Sequence, residues 1–262
     1  MDAQTLTELG DALHAALRER QAMAPLTERY PEMTVEHAYR VSQRFLERRL
    51  ADGERVVGKK IGVTSKPVQE MLNVHQPDFG FLTDRMAVAN HGIVNLQASG
   101  LIAPRIEGEI AFVLKQDVSG TAITRQDILD AAEYVTPCFE IVDSRIRDWR
   151  IRIQDTVADN ASCGLFVLGE GQVAPRALDL AAAELKMYRN GALHCLGLGS
   201  AVQGHPAEAV AWLANTLGRF GIPFLAGEVI LSGSLVPLVP VSAGDKFYLE
   251  VAGIGDCAVQ FI

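Results

Sequence analysis

Leu6, Leu9, Leu13 and Leu17 recur at intervals of three and four, with Glu8, Asp11 and Arg18 among the positions between them. That spacing predicts an amphipathic helix. A second helix is predicted from Thr34 as N-cap through Tyr39, Val41, Phe45 and Leu50, stopping at Gly53. From about Arg55 the texture changes to short apolar runs punctuated by glycine: Val56-Val57, Ile61–Val63, Ile110–Leu114, Phe139–Val142, Leu165–Leu168, Val229–Leu231 and Phe247–Val251. Helices interrupt them from roughly Thr124 to Tyr134 and from Ala207 to Phe220, the latter with Gly221 as its stop. Arg189-Asn190-Gly191 between apolar runs predicts a hairpin turn. The expected fold class is α+β, with a small helical N-terminal part over 1–54 and a strand-rich mixed β body over 55–262, packed as one compact unit.

Charge narrows the partners. Lys and Arg total 24 against 32 Asp and Glu, a net charge of −8, and no basic stripe stands out, so no nucleic-acid partner is expected. No apolar run approaches the ~20 residues of a membrane span. The N-terminus runs straight into an amphipathic pattern, unlike a secretory leader. Cys138, Cys163, Cys195 and Cys257 lie far apart without a CxxC pair, which suits free thiols and a cytoplasmic location. The expected ligand is a small molecule.

Familiar nucleotide and hydrolase motifs fail on inspection. Gly53 to Lys60 nearly spells a P-loop but ends in Lys where Ser or Thr is needed, and its interior Val-Val reads as strand. Gly197-Leu-Gly199 has Val202 where a third dinucleotide-binding glycine would stand, and Gly253-Ile-Gly255 has no room for a following helix. His205 has no triad pattern around it, and Trp149 and Trp212 read as packing residues.

Arg105-Ile-Glu107-Gly-Glu109-Ile-Ala-Phe-Val113 is more informative. In a strand, period two puts Glu107 and Glu109 on one face with Ala111 and Val113, so the pair points toward an interior. Gly108 between them allows a close approach to the backbone. In Pro137–Asp143, Glu140 shares a face with Cys138 and Val142. Carboxylates on core-tending faces repel unless protonated or neutralised by a cation, and all-oxygen ligation selects Mg²⁺ or Mn²⁺. Strand-edge acids in salt bridges fit the same pattern. Lys60 is flanked on its own face by Gly58 and Gly62, which leaves space for a ligand beside it; a solvated lysine on an edge strand is the alternative. Asp78 falls in the turn Gln76–Gly80, where many acids merely cap. Asp155–Ser162 is polar enough for a functional loop, although Asx-turn chemistry accounts for much of it.

Together, GKKIGVTSKPVQEMLNVHQPDFGFLTD, EGEIAFVL, PCFEIVDSRIRDWRIRIQDTVADNASCGLFVLG, GHPAEAVAWLANTLGRFGI and AGEVILSGSLVPLVPVSAGD resemble the 2-oxopent-4-enoate (vinylpyruvate) hydratases of aromatic meta-cleavage pathways, within the fumarylacetoacetate hydrolase-like superfamily. The resemblance implies metal ligands at Glu107, Glu109 and Glu140, and catalytic roles for Lys60 and Asp78. It also implies a homo-oligomer acting on 2-hydroxypenta-2,4-dienoate. Ser162, Ser234 and Asp155 are the candidates for substrate binding, and a Lys60 pKa lowered by the nearby cation is expected. The sister 4-oxalocrotonate decarboxylases share the acidic triad and the ADNAS loop. VHQPDFG, DWRIRIQDT, SCGLFVLG and ILSGSLVPL lean toward hydratase. Decarboxylation is the alternative activity, and a scaffold subunit in complex with 4-oxalocrotonate decarboxylase is the non-catalytic one. Gly199–Gly204 departs from the alanine-rich loop of the family at Gln203, at the pocket or its rim.

Overall fold

The computed structural model describes residues 1–64, 69–70 and 74–262, so part of the stretch from Gly58 to Asp84 that carries the resemblance lies outside the described residues. The chain opens with helices α1 (Ala3–Glu19), α2 (Leu26–Arg29) and α3 (Val35–Ala51). α1 begins where the Asp2 side chain accepts the Thr5 N–H, and α3 where Thr34 accepts that of His37, each occupying an amide left free at a helix start. Leu6, Leu9 and Leu13 of α1 are buried with Ala38, Val41 and Phe45 of α3, and the cluster is completed by Ile146, Ile153 and Val157 from farther along the chain. The N-terminal helices therefore complete their apolar core with residues of the body.

The body holds strands β1 (Val56–Gly62), β2 (Asp78–Thr83), β3 (Ala87–Val88), β4 (Gly92–Val94), β5 (Arg105–Leu114), β6 (Ala132–Val142) and β7 (Cys163–Leu168). After them come β8 (Glu184–Arg189), β9 (Ala192–Leu198), β10 (Val229–Ser234), β11 (Val239–Pro240), β12 (Lys246–Val251) and β13 (Gly255–Phe261). Helices α4 (Arg125–Ala131), α5 (Ile153–Ala158) and α6 (Pro206–Gly218) lie between them. Among the described residues one sheet runs β2-β1-β10-β5-β6-β7-β3, with β11 also on β5, and a second runs β4-β13-β12-β8-β9. β1–β10, β3–β7 and β4–β13 pair in parallel and the remaining neighbours antiparallel. The sheets pack through Phe139, Leu185, Phe247 and Leu249, all buried.

Several expectations shift here. The helix predicted to Tyr134 ends at Ala131, because Ala132 pairs with Leu114 and Tyr134 with Val113 in the β5–β6 ladder. β1 is flanked by β2 and β10, so it is not an edge, and both of its lysines are buried. Gly108 serves inter-sheet packing: a Cβ there would stand 3.0 Å from Leu185 Cδ1 and 3.3 Å from Leu249 Cδ2. At the predicted hairpin, Asn190 (φ 54°) and Gly191 (φ 80°) are both left-handed, as a type I′ turn between β8 and β9 requires. Gln203, also left-handed, is exposed ahead of α6.

Candidate active site

β5 and β6 pair in register with Glu107 opposite Glu140, and residues directly opposite in a sheet share a face. Period two adds Glu109 to that face. Ligand oxygens from the three carboxylates lie within 4.8 Å of one another. β1, separated from β5 only by β10, delivers Lys60, whose Nζ is 3.1 Å from Glu140 Oε1, an ion-pair contact not aligned as a hydrogen bond. Asp78 is the first residue of β2, opposite Gly62, rather than the tip of a turn. A Cβ at Gly62 would collide with Asp78 Oδ1 and stand 3.4 Å from Lys60 Nζ, so the space predicted for a ligand at this glycine is taken up by Asp78. At Gly58 the space is taken by the Val229 backbone of β10.

The cluster is largely buried, with Glu107 at its rim 9% exposed. Glu109 and Glu140 are fully buried, and Lys60 and Asp78 are each 2% exposed. Burial raises the pKa of Asp78 to about 6, with the Lys60 charge pulling the other way and Glu140 adding to the rise. Burial and mutual repulsion push Glu107 and Glu109 up as well. Glu140 is raised by burial and partly restored by Lys60. For Lys60, burial opposes the charge, but Glu140, Asp78 and Glu107 outweigh it, so among the protein's own groups its pKa moves up, not down.

Among the described residues, four buried carboxylates thus face one ammonium. Both oxygens of Asp78, both of Glu140 and Oε1 of Glu109 have no hydrogen-bond partner among them, while Glu109 Oε2 accepts the Gly233 N–H at 2.7 Å. Unsatisfied buried carboxylate oxygens are costly unless something cationic meets them. An all-oxygen set of this kind fits a hard divalent cation.

The other predicted residues divide. Ser234, opposite Glu109 at the end of β10, interacts with Glu107 and also donates to the Val236 carbonyl at 2.5 Å. Ser162 Oγ lies 3.1 Å from Thr156 Oγ1, and the Thr156 hydroxyl sits near Asp78 without an aligned hydrogen bond. Asp155 is not drawn into the cluster. Its carboxylate accepts from Thr27 N and Oγ1 (3.1 and 2.7 Å) and from Arg152 N (2.9 Å), which ties α2 to the start of α5. Sequence reasoning missed Thr156, four residues past the Arg152 cap on the first turns of α5, and Cys163, whose thiol lies near Glu140. The polarity of the 155–162 stretch was the only signal for Thr156.

Residues 54–262 match the fumarylacetoacetate (FAA) hydrolase C-terminal family. The chain belongs to that family. Within it, the chain is 64% identical over 260 residues to a 2-hydroxyhexa-2,4-dienoate hydratase of Comamonas testosteroni, covering 99% of this chain and 98% of the relative. It is 59% identical over 222 residues to a 2-hydroxypent-2,4-dienoate hydratase of Pseudomonas putida, covering 85% of this chain and all of that one. Among solved structures, 4-oxalocrotonate decarboxylase from Pseudomonas putida G7, complexed with magnesium and adipate, superposes with a TM-score of 0.96 at 34% identity, over 100% of this chain and 99% of the other. That superposition includes the helical start, which the family match omits. The FAA hydrolase fold of this chain thus carries an added helical N-terminal part in common with the decarboxylase.

Proposed function

We propose that this FAA hydrolase family member is a metal-dependent hydro-lyase that adds water to 2-hydroxypenta-2,4-dienoate to give 4-hydroxy-2-oxopentanoate. The observation that carries the reading is the near full-length similarity to hydratases of five- and six-carbon 2-hydroxydienoates. The geometry supports it with a buried cluster that joins a hard-cation donor set to two proton-carrying groups.

In this reading Glu107, Glu109 and Glu140 hold Mg²⁺ or Mn²⁺, which supplies Lewis-acid stabilisation of the charge that develops on the substrate's C2 oxygen. Lys60 and Asp78 hold and move the protons. One proton reaches C5, giving the conjugated 2-oxo-3-enoate; water then adds at C4, and a second proton arrives at C3. Lys60 beside Glu140 keeps its ammonium over the acidic face, and Asp78 near it accepts and returns a proton during water addition. Ser234 beside Glu107 and Ser162 behind Asp78 orient the substrate carboxylate or the water. Homo-oligomeric assembly and pairing with a decarboxylase belong to the same proposal. Leu193, Leu196 and Leu198, exposed along the edge strand β9, offer apolar surface for assembly. Among the described residues no helix is long and apolar enough to cross a membrane.

The test supplies 2-hydroxypenta-2,4-dienoate and its six-carbon homologue with Mg²⁺ or Mn²⁺, follows loss of ultraviolet absorbance, and identifies the product, with EDTA as control. Metal-dependent formation of 4-hydroxy-2-oxopentanoate is the expected result. Release of CO₂ from 2-oxohex-3-enedioate with the dienoates untouched would make the chain a decarboxylase, the activity of its structural neighbour. Inactivity on both substrates would leave the scaffold role.

A further inference from the structure

Asn160, Ala161 and Ser162 form a short turn in which three consecutive non-glycine residues are left-handed, with φ of 54°, 50° and 54°. Each such residue costs roughly 1–2 kcal/mol, so the conformation persists only because its surroundings impose it. The imposing group is Arg145, which is fully buried. Its Nε meets Asp159 Oδ1 at 2.5 Å, Nη2 donates to the Asp159 carbonyl at 2.7 Å, and Nη1 donates to the Cys163 carbonyl at 3.0 Å. One guanidinium therefore grips the residue before the turn and the residue after it.

The turn aims the Asn160 side chain at the free edge of β2. Its Oδ1 accepts the Phe81 N–H at 2.8 Å and its Nδ2 donates to the Phe81 carbonyl at 2.9 Å, as a neighbouring strand would. The Asn160 carbonyl also presses on Gly80, where a Cβ would collide with it. One residue earlier, the Phe79 ring stacks on Tyr39 of α3 with centroids 4.4 Å apart. The strand that begins with Asp78 is thus fixed at three successive residues, and two of those anchors come from Asn160.

We infer that Asn160 is a positioning residue for Asp78. By capping the outer edge of β2, the strained turn fixes the strand that carries Asp78, whose Oδ1 shares the space at Gly62 with Lys60 Nζ. This rests on the hydratase reading for its catalytic consequence, but not for its structural one. The Asn160 amide is spent on the Phe81 backbone, so its effect on turnover acts through β2 and belongs to kcat rather than to binding.

Two variants separate the clamp from the strain. Asn160→Gly removes the amide while relieving the left-handed backbone, so the fold is not put at risk by the substitution; Ala161→Gly relieves strain and removes only a methyl. For Asn160→Gly the expected result is a kcat lower by roughly 10- to 100-fold, the scale of a displaced catalytic group. Its KM should stay within about threefold, as for a residue that contributes no uniform binding. Its Mn²⁺ affinity should be unchanged, and amide hydrogen exchange should be faster in the peptide covering Asp78–Thr83. Ala161→Gly should match the wild type in kcat and in exchange, with an equal or higher Tm. A wild-type kcat and exchange pattern in Asn160→Gly would overturn the inference. So would a loss of kcat that travels with lost Mn²⁺ affinity and lost cooperative melting, since that marks a structural role only. If the wild-type protein itself hydrates no dienoate, the hydratase reading falls, and the exchange comparison still decides whether Asn160 holds β2.

Discussion

Glu109 is the carboxylate whose environment argues most directly for a bound cation. It is fully buried, one oxygen accepts the Gly233 N–H, and the other has no partner among the described residues. Glu109→Gln removes a charge that burial and the neighbouring carboxylates disfavour in the metal-free protein, and the amide oxygen can still accept the Gly233 N–H, so the fold should survive with an unchanged or higher Tm. Turnover should fall by about 1,000-fold or more, roughly 4 kcal/mol of transition-state stabilisation, and calorimetry should detect no Mn²⁺ binding. Wild-type turnover with metal in excess would remove Glu109 from the site. Lys60 makes the opposite prediction. Replacing it with Met strips the buried carboxylates of the ammonium beside Glu140, at a cost of about 3–5 kcal/mol to the metal-free protein. Denaturant midpoints measured with and without Mn²⁺ should show a smaller loss in the loaded form. These residues were legible in sequence because period two on a strand is local information. Asp78 was misplaced into a turn because its strand is defined by a partner, β1, that Pro77 and Gly80 do not announce. The roles of Arg145 and Asn160 were not legible at all, since each acts through backbone groups that only the fold brings within reach.

At the scale of elements, Asp245 shows how one side chain secures the second sheet. It accepts from Arg189 Nε and Nη2 (2.9 and 2.7 Å), Asn190 Nδ2 (3.1 Å) and Ser242 N (2.8 Å), joining the β8–β9 turn to the start of β12. Burial opposes its charge, but these partners outweigh burial and hold its pKa below the ordinary 3.8. A carboxyl depressed on folding contributes stability that is complete above its unfolded pKa and is lost as pH falls through the folded one. Asp245→Asn should therefore cost about 2 kcal/mol at neutral pH, and the gap to wild type should shrink below about pH 4. Urea midpoints across that range provide the check; a gap that does not change with pH would remove the charge from the account. The hairpin itself was readable from Asn190-Gly191, and α3 from Thr34, because turn and cap chemistry are written within a few residues. The overrun of the helix at Ala132 was not, since the pairing of β6 with β5 overrides a helical pattern that continues past Ala131.

For the molecule as a whole, the acidic cluster should link ligand binding to folding. Its three clustered glutamates come from β5 and β6, while Lys60 and Asp78 come from β1 and β2 of the same sheet, so a cation held there would tie the central strands together. The N-terminal helices reach the same region from outside, through Tyr39 on Phe79 and through the apolar cluster shared with Ile153 and Val157. A ligand that binds only the folded state at 100 times its Kd stabilises it by about 2.7 kcal/mol. At roughly 2–4 °C per kcal/mol for a chain near this size, Mn²⁺ should raise Tm by about 5–10 °C, and EDTA should reverse the rise. Glu109→Gln should abolish the shift, whereas Asp245→Asn should lower Tm and keep it, because its network lies in the other sheet. Equal shifts in wild type and Glu109→Gln would mean that the ion binds somewhere else on the protein, and the buried carboxylates would then need another source of compensation for their unpartnered oxygens.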